Sequence, residues 1–256
     1  MPKRLLTALA LWPLAAAADP ALDQTLSCMR ANIPPAVRIQ TVEVNAWDRT
    51  GGQRTLKGKL FGIKEKGRAR IMLRVDAPAD LAGAAYLVRE GEKLDEMYLY
   101  LPSMQKVRRI TGASLDGQLW GTNLSYNDLK QIQNAFSGAS VAMEPAPGQY
   151  DGRAVSVLAF SPRKEDGSRY TSMRARIDRQ TCVPLSVEFI DASGVRKTLT
   201  VKAADVKQSN SRWYAEEAEV RDVKNGTHTR LKVTGVVAGD TLAARYFSPQ
   251  TFYLGN

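Results

Sequence analysis

The chain has 256 residues, 44% of them hydrophobic and 24% charged. That ordinary globular balance excludes a disordered or collagen-like protein and suits one domain or two small ones. One histidine and two cysteines exclude histidine-rich metal sites and four-cysteine zinc sites by count. The net charge is +10, and beyond the N-terminus no apolar run reaches the roughly 18 residues that a membrane span needs, which excludes a polytopic membrane protein.

The first 18 residues read as an address. Lys3 and Arg4 form a positive n-region, Leu5 to Leu14 a short apolar stretch, and Ala15 to Ala18 a small-residue cleavage site. Cleavage after Ala18 predicts a mature chain that begins at Asp19, carries +8 and resides in the periplasm. Lipidation would need Cys28 behind a lipobox, which Thr25–Leu26–Ser27 fits poorly. The basic excess draws an exported chain to anionic membrane surfaces or simply keeps it soluble. Nucleic acid is not an expected partner. Two cysteines in an oxidising compartment suggest a Cys28–Cys182 disulfide, the alternative being two buried free thiols.

Ala21–Asn32 places Leu22, Leu26 and Met29 on one helical face and stops before Pro34–Pro35. After it the dominant period is two. Ala69, Ile71, Leu73 and Val75 alternate with Arg68, Arg70, Met72 and Arg74; Met97, Leu99 and Leu101 alternate with Tyr98 and Tyr100. Met173, Ala175 and Ile177, then Leu185, Val187 and Phe189, repeat the pattern. Turn signals separate the strands at Gly51–Gly52, Lys66–Gly67, Glu90–Gly91, Asp166–Gly167, Ser193–Gly194, Asn225–Gly226 and Gly239–Asp240. About ten strands joined mostly as hairpins are predicted, in one antiparallel sheet that curls into a barrel or half-barrel.

Helical signals are few. Pro78–Gly83 suits a short helix or turn. Ser125–Tyr126–Asn127–Asp128 is a capping-box pattern that opens a helix from Tyr126 to about Ala135, with Leu129, Ile132 and Gln133 on one face. Pro145–Ala146–Pro147–Gly148 reads as a loop between two halves of one sheet. Residues 19–256 form a single domain. Apolar residues on both faces of several strands imply a sheet covered twice, with a concave face that leaves an apolar cavity.

Two segments are distinctive: Tyr98–Leu99–Tyr100–Leu101–Pro102–Ser103–Met104–Gln105–Lys106–Val107–Arg108–Arg109–Ile110, and Gly121–Thr122–Asn123–Leu124–Ser125–Tyr126–Asn127–Asp128–Leu129. With Met29–Pro35 and Ala77–Gly83, they resemble the outer membrane lipoprotein-sorting protein family, LolA-like periplasmic proteins found with exporters of the RND (MMPL) type. The chain departs from the family pattern at Asn123, Leu124 and Asn127, which removes two carboxylates. The resemblance implies a mainly β, LolA/LolB-like fold: an incomplete antiparallel β-barrel with a few helices covering an apolar cavity for acyl chains.

The resemblance also frames the candidate residues. Lys106, Arg108 and Arg109 suit a headgroup phosphate or a carrier's acidic surface, the alternative being ion pairs to a neighbouring strand. Tyr98, Tyr100, Leu101, Trp120 and Tyr126 suit the lining of an acyl cavity, or ordinary core packing. Trp120 sits in a loop, as a lid or partner contact would. His228 reads as an exposed hairpin residue, and no G-x-S-x-G elbow accompanies it, so an enzyme is not expected, nor a cofactor or metal. The expected function is a periplasmic carrier that binds acyl chains of a lipid or lipoprotein and hands them between membranes, with an RND-type inner-membrane transporter as partner. The alternative is an envelope sensor or accessory interaction protein.

Overall fold

The computed structural model describes residues 19–133, 140–146, 148–163, 167–238 and 243–254. The predicted signal segment and its cleavage site up to Ala18 lie outside them, as do Asp166, the Gly239–Asp240 turn and Pro147. The chain opens with helix α1 (Pro20–Ala31), capped by the Asp19 carboxylate, which accepts from the Ala21 amide at 3.0 Å. Six strands follow in a meander: β1 (Arg38–Trp47), β2 (Gln53–Glu65), β3 (Arg68–Ala77), β4 (Ala85–Arg89), β5 (Glu96–Leu101) and β6 (Lys106–Arg109). Helix α2 (Tyr126–Gln133) leads to β7 (Ser140–Met143), β8 (Gly148–Tyr150), β9 (Arg153–Ser161), β10 (Ser172–Asp178), β11 (Pro184–Asp191) and β12 (Gly194–Thr200). A separate hairpin, β13 (Val206–Ser209) and β14 (Arg212–Ala215), precedes β15 (Glu217–Asp222), β16 (Thr227–Ala238) and the single turn α3 (Ala243–Tyr246).

Fourteen strands make one antiparallel sheet in the order β6-β5-β4-β3-β2-β1-β16-β15-β12-β11-β10-β9-β7, with β8 also on β9. Its end strands β6 and β7 are not paired with each other, so the barrel is incomplete. The halves meet where β16, late in the chain, zips along the whole of β1, Arg38 opposite Ala238 and Trp47 opposite His228. The proline-rich segment near Pro145 is therefore not the junction between halves. It joins β7 to β8, both of which pair with β9.

The hairpins follow from local chemistry. Lys66–Gly67 and Asp151–Gly152 place both turn residues at positive φ, the type I′ geometry that matches strand twist. Asn210–Ser211 does the same without a glycine, which is why the β13–β14 hairpin leaves little trace in the sequence. The short strands β6, β7, β8, β13 and β14 hold three or four residues each. A two-residue period cannot show in so few positions, so the described residues hold sixteen strands where about ten were predicted. Pro78–Gly83 is a turn, closed by the Leu81 amide on the Pro78 carbonyl.

Period two sorts the side chains into two cores. On the concave face Ala69, Ile71, Tyr86, Val88, Met97 and Leu99 join the large core around α2. On the convex face Phe61, Met72, Leu87, Tyr98 and Tyr100 are covered by the C-terminal segment, through Tyr246, Phe247, Phe252 and Tyr253. Tyr246 stacks on Phe61 at 4.7 Å and Tyr253 on Tyr100 at 4.2 Å between ring centres. The second cover of the sheet is thus a strap of the chain's own aromatic residues. The Cys28–Cys182 disulfide is formed and ties α1 to the turn before β11 across 154 positions.

Candidate functional site

The concave face does not fill completely. Between α1, α2 and strands β1, β2, β11, β12, β15 and β16 lies a cavity of about 220 Å³. Its floor is apolar and buried, formed by Val42, Leu124, Leu129, Val187, Leu199 and Val201. A smaller space of about 30 Å³ adjoins it, sharing Val42, Leu124, Leu129 and Leu231 and ending at Trp120. The indole N–H of Trp120 is buried there without a hydrogen-bond partner among the described residues.

The rim is polar. Arg38, Trp213, Tyr214 and Glu216 are half-buried there. Asn32, at the end of α1, holds the rim together: its side chain donates to the Thr181 carbonyl at 2.9 Å and accepts from the Trp213 amide at 3.0 Å. The β13–β14 hairpin is thereby hung over the opening beside the disulfide. The Arg38 guanidinium lies 5.9 Å from the Tyr214 ring centre and reaches only the Asn32 carbonyl, at 3.5 Å. Burial pulls its pKa below the ordinary guanidinium value. It has no ion pair among the described residues.

Helix α2 is lodged in the sheet by a buried polar cluster. The capping box forms as predicted: the Asp128 amide donates to the Ser125 hydroxyl at 3.1 Å, and the Ser125 amide to the Asp128 carboxylate at 2.7 Å. The same carboxylate, fully buried, accepts from Lys197 at 2.6 Å and from the Tyr170 hydroxyl at 2.6 Å. Lys197 also donates to the Asn123 carbonyl, and the Asn123 side chain donates to the Val220 carbonyl. Asn123 thus stays useful without the carboxylate usual in the motif. Burial, and then the Asp128 charge, pushes the Tyr170 hydroxyl far above its ordinary pKa. Lys197 and Tyr170 were not legible as partners, since 69 and 42 positions separate them from Asp128.

The structure gathers only some of the sequence candidates. Tyr98 and Tyr100 lie on the convex face under Tyr253 and away from the cavity. Leu101 faces the concave side and packs at the edge of the large core, outside the cavity lining. Arg108 and Arg109 sit exposed on the edge strand β6, pointing to opposite faces opposite Leu99 and Tyr98. Neither they nor Lys106 has an ion pair among the described residues, and none lines the cavity. Trp120 and Tyr126 are buried in the large core, so Trp120 is a wall rather than a lid. His228 is not an exposed tip: its ring stacks on Trp47 at 4.6 Å and is half-buried. Among the described residues no group of three or more His, Cys, Asp or Glu side chains is placed to hold a metal, and no helix is long and apolar enough to cross a membrane.

Residues 67–253 match the model of a family described as uncharacterized-protein-like. The chain belongs to this family. A DUF1329 family protein from Desulfovibrio piger superposes with a TM-score of 0.79 at 20% identity, over 90% of this chain and 98% of that one. A domain named for outer membrane lipoprotein sorting, from Vibrio parahaemolyticus, gives 0.79 at 23% identity over 90% and 99%. A LolA superfamily protein from Nitrosomonas europaea gives 0.69 at 15% identity over 88% and 96%. At these identities the solved structures establish a shared fold. No curated protein matches the chain.

Proposed function

We propose that this LolA-like protein is a carrier that shields a single acyl chain of a lipid or lipoprotein in its concave cavity. One observation carries the reading: a buried apolar floor below a polar rim on the concave face of the sheet. Each methylene moved from water into such a floor is worth about 0.8 kcal/mol, so a long chain needs this shelter to cross an aqueous space. The volume is below the 300–1,000 Å³ of ordinary small-molecule sites, which suits one chain threaded toward Trp120. No covalent chemistry is assigned to the site. Export through residues 1–18, work in the periplasm and hand-over to an RND-type inner-membrane transporter complete the proposal, with the exposed Arg108 and Arg109 of β6 as contacts to an anionic surface.

An uncharged fluorophore, N-phenyl-1-naphthylamine, tests the core of this reading. It should bind the delipidated protein, keep its affinity in 1 M salt (a level at which the Debye length is about 3 Å) and be displaced by lipid extract. Leu60→Trp, which fills the cavity from a half-buried wall position, should weaken binding at least several-fold without unfolding the protein. A folded, delipidated protein that takes up no fluorophore refutes the carrier, and the accessory interaction protein then takes its place.

A further inference from the structure

Strand β1 sends Arg38, Gln40 and Val42 into the cavity from one face, at every second position. Arg38 stands at the rim, Gln40 below it and Val42 at the apolar floor. The three form a ladder from charge through amide to hydrocarbon along a single rigid strand.

The two polar rungs have hydrogen-bonding capacity to spare. Gln40 is 93% buried (7% exposed), yet its side-chain amide makes no hydrogen bond among the described residues while lining the cavity. An amide that borders the cavity with its hydrogen-bonding capacity unused is free to pair with an acceptor or donor bound there. Arg38 has only a long contact to the Asn32 carbonyl and the Tyr214 ring. Glu216 is the carboxylate of the rim, and Lys232, opposite Glu43 and Glu217 on the neighbouring strands, belongs to the other face of the sheet.

We infer that the ladder is a recognition site for an acyl amphiphile with an anionic phosphate head and an ester or amide linkage. Arg38 takes the phosphate, the Gln40 amide donates to the linkage carbonyl, and the chain runs past Val42. Two strand positions span roughly 7 Å, the scale of the glycerol unit between the phosphate and ester carbonyl of a phospholipid. A free fatty acid has one oxygen-bearing end and cannot serve both rungs. Arginine suits the upper rung because its planar fork meets phosphate oxygens in pairs. The inference rests on the carrier reading above and adds the class of cargo.

Displacement of N-phenyl-1-naphthylamine by single-chain lipids below their micelle concentrations tests it. Palmitoyl lysophosphatidylglycerol should compete roughly tenfold better than monopalmitoylglycerol, which keeps chain and ester but lacks the phosphate. It should compete a few-fold better than its ether-linked analogue, which lacks the carbonyl. Arg38→Gln should erase the first preference and leave the second; Gln40→Leu should do the reverse. Circular dichroism and a cooperative melt show that each variant is folded, and each preference is read as a ratio of competitors within one variant. Should either variant fail to fold, the two preferences in the native protein decide alone. Fluorophore binding without them overturns the ladder while the carrier stands; no fluorophore binding removes both. Palmitate competing as well as the lysophospholipid also overturns it, because a free fatty acid is then the cargo.

Discussion

Asp128 holds more of this protein in place than any other single carboxylate described above. It caps its own helix, receives Lys197 and receives the Tyr170 hydroxyl, all out of water. A buried charge pair gains little over an apolar replacement, but losing one partner strands the other. Asp128→Ala should therefore cost about 3–5 kcal/mol in a urea melt, far more than an ordinary cap. A cycle pairing Asp128→Asn with Lys197→Met should return a coupling above about 1 kcal/mol. Simple additivity would show that the pair does not hold α2. Gly58 shows a residue-scale constraint of another kind. It lies at a register shift between β2 and β3, where a Cβ would overlap the Arg74 carbonyl oxygen, so only glycine allows the strands their approach.

At the scale of elements, α1 is an attachment rather than a core helix. Among its residues only Met29 is buried. It is held by the Asn32 hydrogen bonds and by the disulfide. A crosslink closing a loop of 154 positions removes much freedom from the unfolded chain. Cys28→Ala with Cys182→Ala should cost about 3–5 kcal/mol, seen as a lowered Tm. It should also loosen the cavity rim, since Met29 and Cys182 both line it. Faster amide exchange confined to α1 and the β13–β14 hairpin is the expected pattern. Unchanged exchange there would show that the hydrogen bonds of Asn32 suffice.

At the scale of the whole molecule, the tyrosines set an alkaline limit. Burial raises the pKa of Tyr86, Tyr126 and Tyr170 above the ordinary value near 10. The folded state therefore holds protons that the unfolded chain releases above about pH 10. Stability from this source is fully present below that pH and falls as pH rises beyond it. Absorbance of tyrosinate should grow in two stages, with Tyr86 and Tyr170 ionising only as the fold is lost. Smooth titration of all nine tyrosines in a protein that keeps its circular dichroism would contradict their burial.

What depends on neighbours along the chain was legible in the amino-acid order. Alternation in β3, β5, β10 and β11 fixed which residues share a face, and Ser125 with Asp128 fixed where α2 begins, because these features involve residues two or three positions apart. Family motifs added the incomplete barrel. Which face of each strand looks into the cavity was not decided there, because period two is symmetric between the faces. Only the docking of the C-terminal aromatic strap on the convex side assigned Tyr98 and Tyr100 outward and Met97 and Leu99 inward. The Lys197 and Tyr170 partners of Asp128 and the opening between α1 and the β13–β14 hairpin came from the tertiary structure in the same way. So did the unpartnered Gln40 below Arg38. A burial or a missing partner is a property of everything packed around a side chain, and the strands that surround β1 come from both ends of the protein.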